Sequence, residues 1–546
     1  MACAQTPVHL YGRDAQGRLG VVASAKSESS KVGIDMLRRG GNAIDAAVAT
    51  AFALGVLEPN ASGIGGGGFM LIKLTSMKEA VVIDFRESAP AAARADMYPI
   101  GENGKVTNRA NAVGGLASAV PGDVAGLLYA LDTFGSKKLT RAQVMQPAID
   151  WARKGFPVTA NLSKIINDEL VKINKFPATA KLYTNDGLPL EVGDTIANPD
   201  LGATLEMIAR KGKDGFYKGD LAKRIVSAVR DAGGILTEED LANYQIKIRK
   251  PVTGTYRGYT IVSTPPASSG GIHVIQMLNI LENFDMAKLG DGTPAALHVW
   301  SEAMKMAFAD RAKYSADTDF AKVPLEGLTS KAYARALAAN IDMKKPMGSV
   351  QAGDPSRYES GSTTSLSVMD KQGNMVTITK TINHFFGSGV MVPGAGFIMN
   401  NEMDDFEPKP GSANSIEPGK RPLSSMTPTL VLDPEGKPLL TVGSPGSARI
   451  LAAVAGVISN VIDHKMSIQQ AVMAPRFFRT HSGDYNLEGR VSVNTKNALE
   501  AMGHKVALKG DWDAFFGGVH AVLFDRNKKT LFGGADPRRD GYVAAY

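Results

Sequence analysis

Serine and threonine side chains alternate along two consecutive strand-like segments in the C-terminal third of the chain. Given the two-residue repeat of a β-strand, the residues sharing one face of the first segment are Thr363, Ser365 and Ser367. After a turn at residues 370–374, those sharing a face of the second segment are Thr377, Thr379, Thr381 and Asn383. The pattern predicts a hairpin over 363–382 with two facing rows of hydroxyl groups beside an apolar core.

Thr363 is the hydroxyl residue with a chemical route to activation. A threonine hydroxyl is a weak nucleophile near neutral pH, so it needs a base. The eight histidines lie in ordinary contexts, and only His384 is near the hydroxyl rows. A threonine can instead use its own α-amino group, whose pKa of about 8 suits a proton acceptor. That amine exists only if the bond between Ser362 and Thr363 is broken, so the nucleophile and cleavage hypotheses depend on each other.

Three polar segments are candidate binding elements, each with an ordinary alternative. Arg86 ends an apolar strand that begins at Val81, and its planar guanidinium suits a carboxylate, although a surface ion pair with a neighbouring acid is as ordinary. Segment 400–406 combines amides with carboxylates and could bind Ca²⁺ or an ammonium group, or be a polar loop. Residues 420–428 hold two adjacent serines in a proline-bounded turn.

Two glycine-containing segments have backbone groups that could face a ligand. Residues 442–449 join a strand to a helix, so their N–H groups could point at an anion, although strand-to-helix turns are common. Residues 63–68 match G-x-G-x-x-G, but a helix precedes them and a strand follows, the reverse of a dinucleotide site. This glycine run predicts a close approach of backbones instead.

Composition limits the classes of function. The chain has 546 residues and a net charge of +7, with no run of five basic residues and no apolar run of about 18, so neither nucleic-acid binding nor a membrane span is expected. Lys137–Lys138 and Arg538–Arg539 are interpreted as solvated surface. The single cysteine, Cys3, excludes an intrachain disulfide. The residues around it resemble the end of a signal sequence, which suggests a periplasmic or secreted protein.

The periodicity predicts an α+β layered fold. Helices are expected at 27–37 and 42–57, and the region 155–341 reads as mostly helical. From Thr363 onward strands dominate, with further strands at 429–432 and 439–442, a helix at 450–462, and a strand pair near the C-terminus.

The order and wording of several motifs resemble the γ-glutamyltranspeptidase (glutathione hydrolase) family of the N-terminal-nucleophile hydrolase superfamily from end to end. The motifs that carry the resemblance are residues 40–47, Asp84-Phe85-Arg86-Glu87, Val120-Pro121-Gly122, Thr363-Thr364, 400–406, 421–426 and Gly443-Ser444-Pro445-Gly446. The resemblance implies a four-layer αββα fold and a proenzyme that cuts itself. The products would be a heavy chain, 1–362, and a light chain, 363–546, which together form one globular heterodimer.

The same resemblance implies a role for each matching residue. Thr363 would attack a γ-glutamyl amide such as that of glutathione, Thr381 would orient it, and the oxyanion would be stabilised by N–H groups of Gly446 and Ser447. The residues implied to bind the substrate's α-carboxylate are Arg86, Ser424 and Ser425. Those implied to bind its α-ammonium group are Asn383, Glu402 and Asp405. A γ-glutamyl ester would form, and water or an amine acceptor would take the acyl group, with no metal or organic cofactor.

Some positions depart from the family pattern and leave alternatives open. Ser365 stands where the family usually has histidine, Ser447 stands where it usually has glycine, and residues 410–420 are short where many members carry a longer lid. Alternative activities are a cephalosporin or glutaryl acylase, or a member acting on poly-γ-glutamate. A catalytically silent homologue with a binding role is the alternative outside the enzymes.

Overall fold

The computed structural model describes residues 12–348, 350 and 363–546. The helices are α1 (Ser27–Arg38), α2 (Ala43–Leu57), α3 (Asp123–Phe134), α4 (Arg141–Lys154), α5 (Ala160–Asp168), α6 (Leu170–Ile173), α7 (Pro177–Tyr183), α8 (Pro199–Lys211), α9 (Lys213–Tyr217), α10 (Gly219–Asp231), α11 (Glu238–Ala242), α12 (Gly270–Leu281), α13 (Met286–Leu289), α14 (Pro294–Tyr314), α15 (Leu325–Leu328), α16 (Lys331–Ala338), α17 (Arg449–Ile462), α18 (Ile468–Met473) and α19 (Val493–Met502). The predicted helices at 27–37, 42–57 and 450–462 are confirmed within one residue at each end.

The strands are β1 (Asp14–Gly17), β2 (Gly20–Ser24), β3 (Gly67–Lys73), β4 (Val81–Asp84), β5 (Phe156–Pro157), β6 (Thr184–Asn185), β7 (Leu188–Pro189), β8 (Thr195–Ile196), β9 (Lys247–Arg249), β10 (Val252–Tyr256), β11 (Tyr259–Ser263), β12 (Thr364–Asp370), β13 (Met375–Thr381), β14 (Thr429–Leu432), β15 (Pro438–Gly443), β16 (Phe477–Phe478), β17 (Tyr485–Leu487), β18 (Val506–Leu508), β19 (His520–Asp525), β20 (Thr530–Ala535) and β21 (Tyr542–Ala545). Strands β9 to β11 lie in the region that the sequence predicts to be mostly helical, so that region is more mixed than expected.

Two large sheets lie face to face at the centre of the molecule. Within the described residues, one sheet has the order β21-β2-β12-β13-β3-β4-β9 and the other β1-β20-β19-β15-β14-β11-β10. An apolar layer between the sheets includes Phe69, Leu71 and Val522. Helices α1 and α2 cover the outer face of the first sheet, and α12, α17 and α18 cover that of the second. The predicted αββα layering is confirmed.

The β12–β13 hairpin has the predicted register. Ser365 lies opposite Thr379 and Ser367 opposite Thr377, whereas Leu366 pairs with Ile378. The apolar residues of the hairpin belong to the core shared with the helices around α2. The hydroxyl face is turned towards the second sheet, where the Ser367 hydroxyl donates to the backbone oxygen of His520 at 2.9 Å. Alternation in the sequence therefore fixes both faces of the hairpin.

The glycine run at 63–68 brings β3 against β13. A Cβ at Gly66 would lie 1.9 Å from the backbone oxygen of Thr381, and one at Gly68 would lie 2.4 Å from that of Thr379. Any side chain at either position would therefore collide with backbone. The run leads from α2 into β3, which confirms the predicted close approach and the absence of a strand-then-helix dinucleotide motif at this position.

One surface assignment made from the sequence is wrong. Lys137 and Lys138 are exposed, as predicted, but Arg538 is only 5% exposed and Arg539 is half-buried. Arg538 pairs with Asp536 and Glu488 at 3.0 and 2.7 Å. Adjacent charges indicate a solvated surface only when no buried acid faces them, and the sequence does not reveal such partners.

Helices long and apolar enough to cross a bilayer are missing from the described parts of the chain.

Candidate active site

Thr363 lies immediately before β12, a strand of the first central sheet, and lines a cavity. Because Thr364 pairs with Lys380 on β13, the chain direction places Thr363 beside the end of β13, where Thr381 is. Both threonines are buried, with exposures of 5% and 3%. They line a cavity of about 440 Å³. The two hydroxyl residues that the sequence selects thus line the same cavity.

This cavity contains most of the predicted site residues. Among the described residues, those predicted from the sequence that line it are Arg86, Thr363, Thr381, Asn383, Asp405, Ser424, Ser425 and Ser447. Gly446 is next to Ser447 in the chain. Glu402 is fully buried and contacts Arg86 from outside the cavity lining. Ser362, on the other side of the predicted cleavage position, lies outside the described residues.

Two residues at the end of β13 shape the wall beside Thr363. The Thr381 hydroxyl oxygen accepts a hydrogen bond from the Asn383 backbone N–H at 2.8 Å. Asn383 has a φ of 72°, in the left-handed region that asparagine tolerates better than most residues. Its side-chain amide donates to the backbone oxygen of Asn401 at 3.1 Å. These bonds hold Asn383 against the 400–406 segment and point the chain away from the sheet.

Arg86, just beyond the end of β4, provides a buried positive charge at one end of the cavity. Its guanidinium lies 2.6 Å from the Glu402 carboxylate and 2.5 Å from Asp405, with Glu87 at 3.6 Å. Burial disfavours its charge, but these nearby carboxyl groups outweigh burial and raise the pKa of Arg86. It also donates to the backbone oxygens of Pro422 and Leu423, which ties it to the serine-containing turn.

Burial changes the protonation of the acids behind Arg86. It raises the pKa of Glu87 to about 8, although the Arg86 charge opposes that shift. Burial also raises the pKa of Glu402 well above its usual range, again against the effect of Arg86. The neutral form of Glu87 is therefore favoured near neutral pH, whereas Glu402 lies 2.6 Å from the Arg86 guanidinium as its ion-pair partner. The Asp405 side chain is 23% exposed and lines the cavity.

The serine pair presents hydroxyl donors to the cavity. Ser424 Oγ accepts from the Met426 N–H at 3.1 Å, and Ser425 Oγ accepts from Arg311 at 2.9 Å. Since a backbone amide and a guanidinium can only donate, each serine oxygen is the acceptor in its bond. The hydroxyl hydrogen of each serine is then available for donation to another acceptor, such as a carboxylate.

The turn at Gly446 and Ser447 connects β15 to α17. Gly446 has a φ of 128° and Ser447 a φ of 55°, and a Cβ at Gly446 would lie only 3.0 Å from Gly517 Cα. Ser447 is thus in the left-handed conformation despite having a side chain, and it lines the cavity. Backbone N–H groups just before a helix N-terminus favour negative charge, so this turn is suited to an oxyanion.

Comparison with known proteins identifies the family to which the chain belongs. The family model described as gamma-glutamyltranspeptidase matches residues 29–546. The chain belongs to the γ-glutamyltranspeptidase family.

Alignments with individual relatives cover almost the whole chain of this γ-glutamyltranspeptidase family member. The "Glutathione hydrolase proenzyme" of Escherichia coli (strain K12) is 42% identical, covering 97% of this chain and 92% of the relative. The "Acylase ACY 1 proenzyme" of Pseudomonas sp. (strain SE83) is 43% identical, covering 98% and 94%. The crystal structure of cephalosporin acylase from Bacillus halodurans superposes with a TM-score of 0.88 at 30% identity, covering 100% and 99%.

The structure adds residues around the site of this family member that sequence reasoning missed. Arg311, in the last turn of α14, lines the cavity and binds Ser425. Arg539 donates to the backbone oxygen of Thr363 at 3.3 Å. Both arginines are far from the site in the sequence, and neither lies in a motif with a chemical signature. Only the tertiary fold reveals their positions.

Ser365, the departure from the family pattern, does not line the cavity. It is fully buried, and its hydroxyl lies 2.8 Å from Nδ1 of His520 on β19. Burial lowers the pKa of His520 to about 3, so the imidazole is neutral near pH 7. In this γ-glutamyltranspeptidase family member the Ser365–His520 pair joins the two sheets next to the candidate nucleophile.

A group of potential metal ligands lies elsewhere in this family member. His298, Glu302 and His504 bring ligand atoms within 4.8 Å of one another. His298 Nε2 faces the backbone oxygen of Asp342 and must donate to it, so its Nδ1 accepts from His504 at 2.8 Å. Glu302 is paired with Lys305 at 2.9 Å. The ligand atoms are thus engaged, and the adjacent ammonium group opposes a bound cation.

Proposed function

We propose that the protein is a γ-glutamyltranspeptidase of the glutathione hydrolase type, an enzyme that cleaves γ-glutamyl amide bonds with Thr363 as nucleophile. The observation that carries this proposal is the shared cavity. Thr363 lines the same cavity as a guanidinium and two serine hydroxyl groups, which together match the free carboxylate at the far end of a γ-glutamyl group.

Thr363 would first be released from its own chain. Its hydroxyl attacks the carbonyl carbon of Ser362, the peptide bond breaks as the amide nitrogen takes a proton, and water hydrolyses the resulting ester. The products are a heavy chain ending at Ser362 and a light chain beginning with the Thr363 amine. Arg539 supports this role because its bond to the Thr363 backbone oxygen fixes the residue that must be both nucleophile and chain terminus.

The catalytic cycle then uses the freed amine. The amine accepts the proton of the Thr363 hydroxyl as its oxygen attacks the γ-carbonyl carbon, with Thr381 orienting the hydroxyl. N–H groups of Gly446 and Ser447 stabilise the oxyanion. The proton passes to the leaving amine, cysteinylglycine for glutathione, and a γ-glutamyl ester remains. Water completes hydrolysis, whereas the amine of an amino acid or peptide completes transfer.

The charged residues at the Arg86 end of the cavity would orient the substrate. In the proposal Arg86, Ser424 and Ser425 bind the α-carboxylate, and Asn383, Glu402 and Asp405 form the ammonium side. Asp405 lines the cavity, where its carboxylate would face the ammonium group. Glu402 lies behind Arg86 and outside the cavity lining, so its part is to hold the guanidinium in place.

Acylase activity on glutaryl or cephalosporin side chains is the second candidate function. It is favoured by the acylase relatives, which are as similar to this chain as the glutathione hydrolases are. A glutaryl group keeps the carboxylate and lacks the ammonium group, so Asp405 separates the two candidates. A purely binding homologue would keep the cavity without turnover.

Matched chromogenic substrates test the assignment. We expect γ-glutamyl-p-nitroanilide to be cleaved with a kcat/KM at least about tenfold above that of glutaryl-p-nitroanilide, because only the former offers a cation to Asp405. Thr363→Ala is the control for contaminating activity and should be inactive on both. A clear preference for the glutaryl compound would favour the acylase function, and turnover of neither would favour a binding role.

We also propose a periplasmic or secreted location, with glutathione or a related γ-glutamyl compound and an amine acceptor as small-molecule partners. The location depends on the small-residue motif Ala2-Cys3-Ala4, which lies outside the described residues.

A further inference from the structure

Arg311 connects the heavy-chain region to the serine pair of the candidate site. It lies in the last turn of α14, is half-buried, and lines the cavity with Thr363. Its Nη2 donates to Ser425 Oγ and its Nε donates to Ser269 Oγ, both at 2.9 Å. One planar guanidinium thus spans two hydroxyl groups on different elements.

The direction of these hydrogen bonds determines what the serines can do. A guanidinium cannot accept, so Ser425 must receive the Arg311 hydrogen and can turn its own hydroxyl hydrogen to a ligand. Ser269 likewise receives from Arg311 and donates to the backbone oxygen of Ser424 at 2.8 Å, while its N–H donates to the same oxygen at 2.9 Å. Arg311 therefore holds Ser425 directly and Ser424 through Ser269.

The charge of Arg311 also acts at this end of the cavity. Arg86 shares its positive charge with Glu402 and Asp405 at 2.6 and 2.5 Å. Arg311 lines the same cavity and is hydrogen-bonded to Ser425 at 2.9 Å. Both guanidinium groups would therefore favour a carboxylate bound by the serine pair.

We infer that Arg311 is a positioning and specificity-determining residue for the substrate's carboxylate, acting through Ser425 and Ser269. The inference rests on the proposed function. In this role Arg311 affects the binding of the carboxylate and takes no part in bond breaking at Thr363.

Three p-nitroanilides that differ by one charged group test this inference in Arg311→Gln. γ-Glutamyl has both charged groups, glutaryl has only the carboxylate, and 4-aminobutyryl has only the ammonium group. We expect KM to rise about tenfold or more for the first two, because a carboxylate loses a charge-assisted contact, and to change less than about twofold for the third. The kcat for γ-glutamyl should stay within about threefold of wild type.

Further variants separate positioning from a general structural role. Arg311→Lys should recover part of the carboxylate preference, since an ammonium group cannot span both serines. Ser269→Ala should shift KM in the same direction by a smaller factor, and it keeps the test valid if Arg311→Gln fails to fold. Arg210→Gln, on the exposed side of α8, is the matched control and should behave as wild type.

The outcomes distinguish this inference from the proposed function. An equal loss on all three substrates, or an unchanged KM for the two carboxylate substrates, would overturn the role of Arg311 while wild-type γ-glutamyl turnover still supported the function. A wild-type protein that cleaves none of the three would overturn the function and this role together. A wild-type preference for glutaryl would overturn only the substrate assignment, since the comparison of glutaryl with 4-aminobutyryl still tests Arg311.

Discussion

At the scale of single residues, the site combines groups whose ordinary chemistry is altered by burial and neighbours. None of the described residues that line the cavity of Thr363 is a histidine, and its proposed base is its own amine. Glu87 illustrates the cost of this environment. It is fully buried, and its carboxyl oxygens have no hydrogen-bond partner within the described residues, although Arg86 is 3.6 Å away. Its protonation should therefore influence stability.

Glu87→Gln should weaken the pH dependence of stability. Burial raises the folded-state pKa of Glu87 to about 8 from 4.5, so its contribution is fully present below about pH 4.5 and is lost as the pH rises through about 8. Glutamine is neutral throughout and avoids that loss. The fall in apparent Tm between pH 6 and pH 9, measured by scanning fluorimetry, should be smaller in the variant. Equal falls in both proteins would refute the raised pKa, and Glu206→Gln, in an exposed ion pair, serves as control.

Most of the site residues predicted from the sequence line the cavity, but the sequence did not predict all their partners. Parity along the strands places Thr363 with Thr381, and the family motifs name Arg86 and the serines. Arg311 and Arg539 carry no such signature, since their contacts join positions 114 and 176 residues apart. Arg538–Arg539 was misassigned to the surface because charge alone does not show whether acids are buried beside it.

At the scale of elements, β13 connects the candidate nucleophile site to the helical layer. Thr379 and Thr381 face the second sheet, whereas Lys380 points the other way, into the layer of α2 and α3. Lys380 is fully buried and lies 2.7 Å from Asp123 at the start of α3, and it also donates to the backbone oxygen of Ala51 in α2. This ion pair fixes the strand that carries Thr381.

Lys380→Met should destabilise the fold strongly. It removes the partner of a fully buried carboxylate, a change that costs about 3–5 kcal/mol in comparable sites. Burial already raises the pKa of Asp123, and the Lys380 charge opposes that rise, so its loss leaves Asp123 in an unfavourable environment. Urea unfolding followed by circular dichroism measures the effect. Adding Asp123→Asn should recover part of the loss, and a single variant as stable as wild type would contradict the account.

The predictability of the elements depends on how clearly their periodicity shows. The β12–β13 hairpin alternates strictly, and its register agrees with the sequence pattern. Strand β10 was missed because Gly254 interrupts its pattern and because it is an edge strand with exposed positions, and the short strand β11 pairs with it. Gly254 is required there by packing, since a Cβ would lie 2.5 Å from Ile275 on α12. Such a requirement arises from tertiary contact and leaves no local signal.

At the scale of the whole molecule, residues from both sides of the predicted cleavage position build one cavity. Arg86 and Arg311 come from the heavy-chain region, and Thr363, Ser425 and Ser447 come from the light-chain region. The two central sheets also mix strands from both regions. The two products of cleavage should therefore stay associated, because neither contains a complete central sheet or a complete site.

Intact mass spectrometry of the purified protein tests the central claim, that Thr363 becomes the nucleophile by freeing its own amine. We expect two polypeptides that co-purify, the smaller with the mass of residues 363–546 and an N-terminal threonine. Thr363→Ala should remain a single uncut chain, which shows that the threonine itself performs the cleavage. An active wild-type enzyme consisting of one intact 546-residue chain would contradict the account.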